Sequence, residues 1–305
     1  MHDIAVHASD LILLLYIAFV FGINNAGITV MGMLASGFNY RRSAGVAVLG
    51  FMTGALLEGW KMGGVIMLED HIDTVTYAVT AAMLSIFSLL NMPVSMVNIM
   101  FAGYVGGVAS TCPISISHVA YVIAAWIIAP FIALIATMAI YHLILRSTAL
   151  LSLADLSRFY SIMMPPATFY ASYAIGANNL GLLYSMGSGY TTYGIYMMPA
   201  VLAVFSAGVV MGKGVSRFLS EDIVGYTPAT VLSGISACSI ILWVSTQIRI
   251  PLPFSQMLIG SLIGINMVRR PHVYNKRSLL LLVSSWIGST LLSLTITSVI
   301  TMTMA

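Results

Sequence analysis

Two short runs hold the residues best suited to chemistry, Gly22-Ile23-Asn24-Asn25 and Gly176-Ala177-Asn178-Asn179. Each lies inside an apolar stretch, where an amide without a partner costs on the order of several kcal/mol. An Asn side chain carries both donors and acceptors, so it can hold a polar solute without adding charge. A Gly in a membrane helix permits either close packing or a break. A break would expose backbone N–H groups at a half-helix N-terminus, a ready anion site. The competing reading is hydrogen-bond glue between helices, a common use of Asn in membranes. One copy alone favours glue. Two copies at matched places favour a substrate site at Asn24, Asn25, Asn178 and Asn179.

Other chemistry-bearing residues follow a similar pairing. Pro93-Val94-Ser95 and Pro251-Leu252-Pro253-Phe254-Ser255 put Pro and hydroxyls where helices begin. Capping accounts for that. So does a re-entrant hairpin whose tip presents Ser95, Asn98, Ser255 and Gln256 to a substrate. Glu58 and Lys61 lie one turn apart inside an apolar segment. There they read equally as a functional pair or as an ion pair that satisfies itself. Pro113-Ile114-Ser115-Ile116-Ser117-His118 reads as a turn and helix start, with His118 in the pKa range for a minor coupling role. A hydrolase using Ser115 or Ser117 with His118 lacks a paired Asp, a metal cluster or a triad-like set. Cys112 and Cys238 lie far apart in apolar surroundings and suggest neither a disulfide framework nor a metal site.

The elements that position these residues follow from composition. Of 305 residues 59% are hydrophobic and 7% charged, against about 25% charged in soluble domains. Such a chain needs the bilayer as solvent, and only helices or closed barrels satisfy a backbone there. Apolar runs of about 17–30 residues select helices over alternating strands. Ten segments are expected, near residues 8–34, 43–68, 74–90, 93–110, 114–145, 159–185, 192–212, 228–247, 252–268 and 278–303. The stretch Met1 to Asp10 has no Lys or Arg for a signal-peptide n-region, so the first run is expected as a retained helix; no lipidation motif is seen. The net charge of +3 is read as membrane topology and not as a nucleic-acid footprint.

An outside N-terminus explains nearly every charge. It puts Arg41, Arg42, Arg146, Arg158, Lys213, Arg217, Arg269, Arg270, Lys276 and Arg277 inside, and the acidic loop Glu69, Asp70, Asp73 outside; Arg249 is the exception. Gly22 recurs as Gly176, Ser36-Gly37-Phe38 as Ser188-Gly189-Tyr190, Pro93 as Pro251, and Trp126 as Trp286, at offsets of 154, 152, 158 and 160 residues. Five crossings separate the copies, an odd number, so the second half must be upside down. The expected architecture is all-α, a polytopic bundle of two inverted five-helix repeats at 1–146 and 159–305 joined by a cytoplasmic linker at 147–158. Inverted repeats point to an alternating-access transporter with its site at the repeat interface.

These paired motifs resemble the inorganic phosphate transporter (PiT) family of phosphate and sulfate permeases. Phe21-Gly22-Ile23-Asn24-Asn25 and Ile175-Gly176-Ala177-Asn178-Asn179 are similar to its Gly-x-Asn-Asp-x-Ala-Asn signature. Pro93 to Asn98 and Pro251 to Gln256 are similar to its Pro-Val-Ser-Thr-Thr-His stretch, in degenerate form. Asn25 and Asn179 stand where the family has Asp, Ile28 and Leu182 where it has the last Asn, and Met96 and Val97 where it has Thr. The resemblance implies a multi-pass plasma-membrane permease for phosphate, or else sulfate, that is not an enzyme, needs no cofactor and forms a homodimer. It also implies that the signature Asp helps bind coupling Na⁺. Two Asn in those places leave the choice between Na⁺ and H⁺ open, with Glu58 or His118 as the proton route. A non-transporting receptor or scaffold is the other outcome of eroded motifs.

Overall fold

The structure, a computed structural model, describes residues 2–63, 74–89, 94–109, 115–186, 194–214, 227–268 and 276–304. Among them every regular element is helical. In the first half these are α1 (His2–Ala35), α2 (Tyr40–Glu58), α3 (Thr74–Leu89), α4 (Met96–Val108) and α5 (Ile116–Thr148). The second half has α6 (Leu153–Ile175), α7 (Gly181–Met186), α8 (Gly194–Met211), α9 (Pro228–Gln247), α10 (Phe254–Val268) and α11 (Lys276–Met304). A π-helical turn, Gly176–Leu180, joins α6 to α7, and a 3₁₀ turn, Gly59–Met62, extends α2. Ser188-Gly189-Tyr190, Cys112, Pro93 and the loops around Asp70, Arg217 and His272 lie outside the described residues.

Local chemistry sets the helix ends. α1 stops where Gly37 takes φ 85 and Phe38 N donates to the Met33 carbonyl at 3.0 Å, a closure that left-handed glycine favours. α9 stops the same way, with Ile250 N donating to the Ser245 carbonyl at 2.9 Å, but Arg249 occupies the left-handed position at φ 60. Side-chain caps start the others: Asn39 for α2, Ser95 for α4, Ser115 for α5, Ser152 for α6 and Thr227 for α9.

Five of these helices contain stretches long and apolar enough to cross a bilayer, at Ala8–Ala35, Tyr40–Met62, Ile116–Thr148, Pro228–Gln247 and Leu280–Met304. Shorter apolar stretches, such as Met96–Val108 and Phe254–Val268, occupy the interior, where every residue of α4 is buried. α1 runs along α8, and α2 along α6. α4 runs along α11, and α5 along α10. α3 packs on α1, α4 and α11, while α9 packs on α6, α10 and α5. Exchanging α1 with α6, α2 with α8, α3 with α9, α4 with α10 and α5 with α11 returns this same set of pairings.

Glycines make those pairings close. A Cβ on Gly22 would collide with the Phe205 carbonyl oxygen, and one on Gly176 with the Phe51 carbonyl oxygen. Gly208 abuts the Phe19 carbonyl and Gly54 the Tyr173 carbonyl in the same manner. Each of these pairs maps onto the other at the offset of 154 residues. The rings of Phe51 and Phe205, themselves one offset apart and fully buried, meet edge to face with centroids 4.8 Å apart.

Candidate functional site

Of the two uses of Gly in the motifs, the structure takes close packing. α1 passes through Gly22, Asn24 and Asn25 without a break. In the second copy the chain stays helical but widens by a residue into the π turn, a local feature frequent at functional sites. No half-helix N-terminus forms at either motif.

The four motif amides are bonded differently. Asn25 Nδ2 donates to the Phe21 carbonyl one turn back at 2.9 Å. Asn24 is half-buried, with no side-chain partner among the described residues. Asn178 is fully buried. Its Nδ2 lies within reach of the Ile250 carbonyl (3.0 Å), Thr246 Oγ1 (3.1 Å) and Ser245 Oγ (3.2 Å), while its Oδ1 accepts from Leu252 N at 3.1 Å. One side chain thus ties the π turn to the link between α9 and α10. Asn179, also buried, leaves its Oδ1 with no hydrogen bond.

Ser95 and Asn98 come together at the start of α4, with Ser95 Oγ donating to Asn98 Oδ1 at 2.9 Å and accepting from Asn98 N at 3.3 Å. This is capping, yet both side chains are buried. At the equivalent place Pro251, Leu252 and Pro253 lead into α10, with Gln256 buried and Ser255 partly so. Trp126 Nε1 donates to the Pro251 carbonyl at 2.8 Å, and the Trp126 ring meets Phe101 of α4 at 5.4 Å. Ser255 and Gln256 are therefore positioned by Asn178 and Trp126 acting on residues 250–252. Among the described residues no hydrogen bond joins Asn24, Asn25, Ser95 and Asn98 to the second-half set.

Glu58 and Lys61 do form an ion pair, at 3.2 Å. Glu58 also accepts from Gln247 Nε2 (2.7 Å), Tyr173 Oη (2.8 Å) and Trp243 Nε1 (3.2 Å). His118 sits apart, its backbone N–H capped by Ser115 Oγ at 3.4 Å and its Nε2 buried without a partner. The expected helix start is found there, at Ser115, while the expected turn at Pro113 and Ile114 lies outside the described residues.

Sequence reading missed Thr168 and Ser172. Most buried helical Ser and Thr here donate to a carbonyl of their own helix, as Thr29, Ser233 and Ser261 do. Thr168 and Ser172 are fully buried, and their hydroxyls make no hydrogen bond. They stand eight and four residues before Gly176, on one face of α6, and that spacing was the available signal.

No family model matches the chain. Over 272 residues it is 24% identical to the sulfate permease CysP of Bacillus subtilis (strain 168), covering 82% of this chain and 74% of that one. Its fold superposes on that of a sodium-dependent phosphate transporter with a TM-score of 0.78, over 98% of this chain and 99% of the other, at 13% identity. The chain has a phosphate-transporter fold. The resemblance drawn from the motifs therefore holds, and the chain is a multi-pass membrane protein whose described elements are all helical. Both of these similar proteins are transporters by name, and neither is an enzyme.

Proposed function

We propose that this chain is a secondary-active permease for a small tetrahedral oxyanion, with phosphate the first substrate to test. The observation that carries the reading is the full-length likeness to a phosphate transporter in a chain that repeats Gly-x-Asn-Asn at equivalent helix crossings. In this reading the two halves are inverted repeats, and the exchange symmetry of their packing supports it. The anion lies between them and is reached from each face in turn. Asn24, Asn25 and Asn179 line it from the motif helices, and Ser95, Asn98, Ser255 and Gln256 from the starts of α4 and α10. Asn178 holds the α10 side in place.

Sulfate is the second reading. The CysP similarity favours it, and so does a point of hydrogen bonding. Phosphate near neutral pH carries P–OH donors that need acceptors, whereas sulfate presents acceptors alone. Asn in place of Asp at 25 and 179 removes two acceptor-only groups and adds donors. The free Oδ1 of Asn179 is the acceptor that keeps phosphate first.

Coupling to Na⁺ would use the amide oxygens of Asn25 and Asn179, since hard cations take oxygen ligands. Coupling to H⁺ falls to His118, because Glu58 already accepts from four donors. The proposed setting is the plasma membrane with the N-terminus outside. A homodimer would use the apolar outer faces of α5 and α11, which carry Ile127, Phe131, Ile287 and Leu291.

The test is uptake of radiolabelled phosphate and sulfate into proteoliposomes under imposed Na⁺ or H⁺ gradients, with Asn25→Ala/Asn179→Ala protein as control. Uptake of one anion, driven by one gradient and lost in the control, is the expected result. Folded protein that moves neither anion under any gradient would leave the receptor reading in its place.

A further inference from the structure

The Glu58 cluster does more than neutralise a half-buried charge. Glu58 lies in the first half, and three of its four donors, Tyr173 of α6 and Trp243 and Gln247 of α9, lie in the second. Gln247 is held at both ends, donating from Nε2 to Glu58 and accepting at Oε1 from Lys61 Nζ at 2.7 Å. These five side chains bridge the halves at the C-terminal ends of α2 and α9, the face that the charge pattern assigns to the outside.

The cluster adjoins the candidate site. Directly after Glu58 the Gly59–Met62 turn folds under it, with Gly59 packed on Gly181 at the end of the π turn. Met62 is fully buried, and its sulfur lies 3.7 Å from Asn178 Nδ2. The chain thus runs from a charge at the rim to the amide that positions α10 within four residues.

The equivalent place on the other face is sealed in another way. At the 154-residue offset Glu58 corresponds to Gly212, which packs against the Ile23 carbonyl and Ala26 of α1 at 2.7 and 2.6 Å for an added Cβ. Among the described residues the Gly212 contact is backbone against helix, and separating it strips contacts that water does not replace. The Glu58 and Lys61 side chains keep 16% and 27% of their surface in solvent. Water can replace their hydrogen bonds as they part, so the bonded and parted states lie close in free energy.

We propose that Glu58, Lys61, Tyr173, Trp243 and Gln247 form a latch that closes one face of the site, and that its release exposes Met62 and Asn178 to water. The inference rests on the permease reading for its purpose but not for its test. Met62→Cys places a thiol beneath the latch, and the unsubstituted chain gives the background from Cys112 and Cys238. In detergent, where both faces are open to reagent, the rate of maleimide labelling reports exposure. With the latch intact the Met62→Cys thiol reacts slowly. Adding Glu58→Gln, which puts an amide donor opposite Gln247 and removes the partner charge of Lys61, speeds labelling by about tenfold, the loss of roughly one charge-assisted hydrogen bond. Tyr173→Phe, which deletes one donor and keeps the ring, gives a smaller increase and decides the matter if Glu58→Gln protein does not fold. Labelling unchanged in folded variants would overturn the latch, whatever the uptake assay shows. Faster labelling in a chain that moves no anion would keep the latch and remove the permease reading.

Discussion

At residues 178 and 179 the same amide meets two environments. Asn178 satisfies its donors and its acceptor against residues 245–252, whereas Asn179 holds a buried oxygen with nothing bonded to it. Asn178→Ala would leave the Leu252 N–H and the Ile250 carbonyl without their partner. Each buried group so stranded costs about 1–3 kcal/mol, so the variant should melt well below the parent in a thermal-shift measurement in detergent. Asn179→Ala removes an oxygen that already lacks a partner. It should melt close to the parent while losing anion uptake, a split that a packing role would not produce. Thr168→Val and Ser172→Ala belong with Asn179, since their hydroxyls too are buried and unbonded. The sequence marks all four motif Asn alike, because the residues that distinguish Asn178 lie 67 to 74 positions away. Nothing in local spacing shows that the chain returns there.

Helices were more legible than bonds. The segment expected at 228–247 is α9 to the residue, and those at 8–34, 252–268 and 278–303 match α1, α10 and α11 within several residues, because hydropathy and caps are both contained within one continuous stretch of chain. Less legible was the conformation at the motif glycines, since a glycine that breaks a helix and one that lets two helices touch look identical in one dimension. The touching role makes a prediction. Gly22→Ala and Gly176→Ala should each push apart an α1–α8 or α2–α6 crossing at a cost of about 1–3 kcal/mol, the range for overpacking. Because the two crossings are equivalent, the losses in melting temperature should be similar; a large loss at one and none at the other would separate the halves. At the end of α9 the opposite change is expected. Arg249 holds a left-handed conformation that costs a side chain about 1–2 kcal/mol, so Arg249→Gly should raise the melting temperature, or at least not lower it.

For the whole molecule the decisive quantity is parity. Two inverted halves require an odd number of crossings in each, and hence both termini on one face. Short helices such as α4, with 13 residues, span only about 20 Å at 1.5 Å per residue, well under a hydrocarbon core of about 30 Å. Alone they leave open whether α3 and α4 cross in succession or fold back together as a hairpin. Either arrangement changes the count for the half by two and keeps it odd. The prediction therefore survives that choice. Epitope tags at the N- and C-termini should be reached from the same side, the outside if Arg41, Arg42, Arg146 and Arg158 mark the interior. In intact cells an impermeant antibody should bind both tags without detergent, while a tag in the link after Thr148 should need it. Termini on opposite faces would mean an even count in one half; were that half the first, the matched glycine crossings would reflect a repeat that is not inverted. Alternating access by exchange of two equivalent halves would fall with it, while the fold and the buried amides would stand.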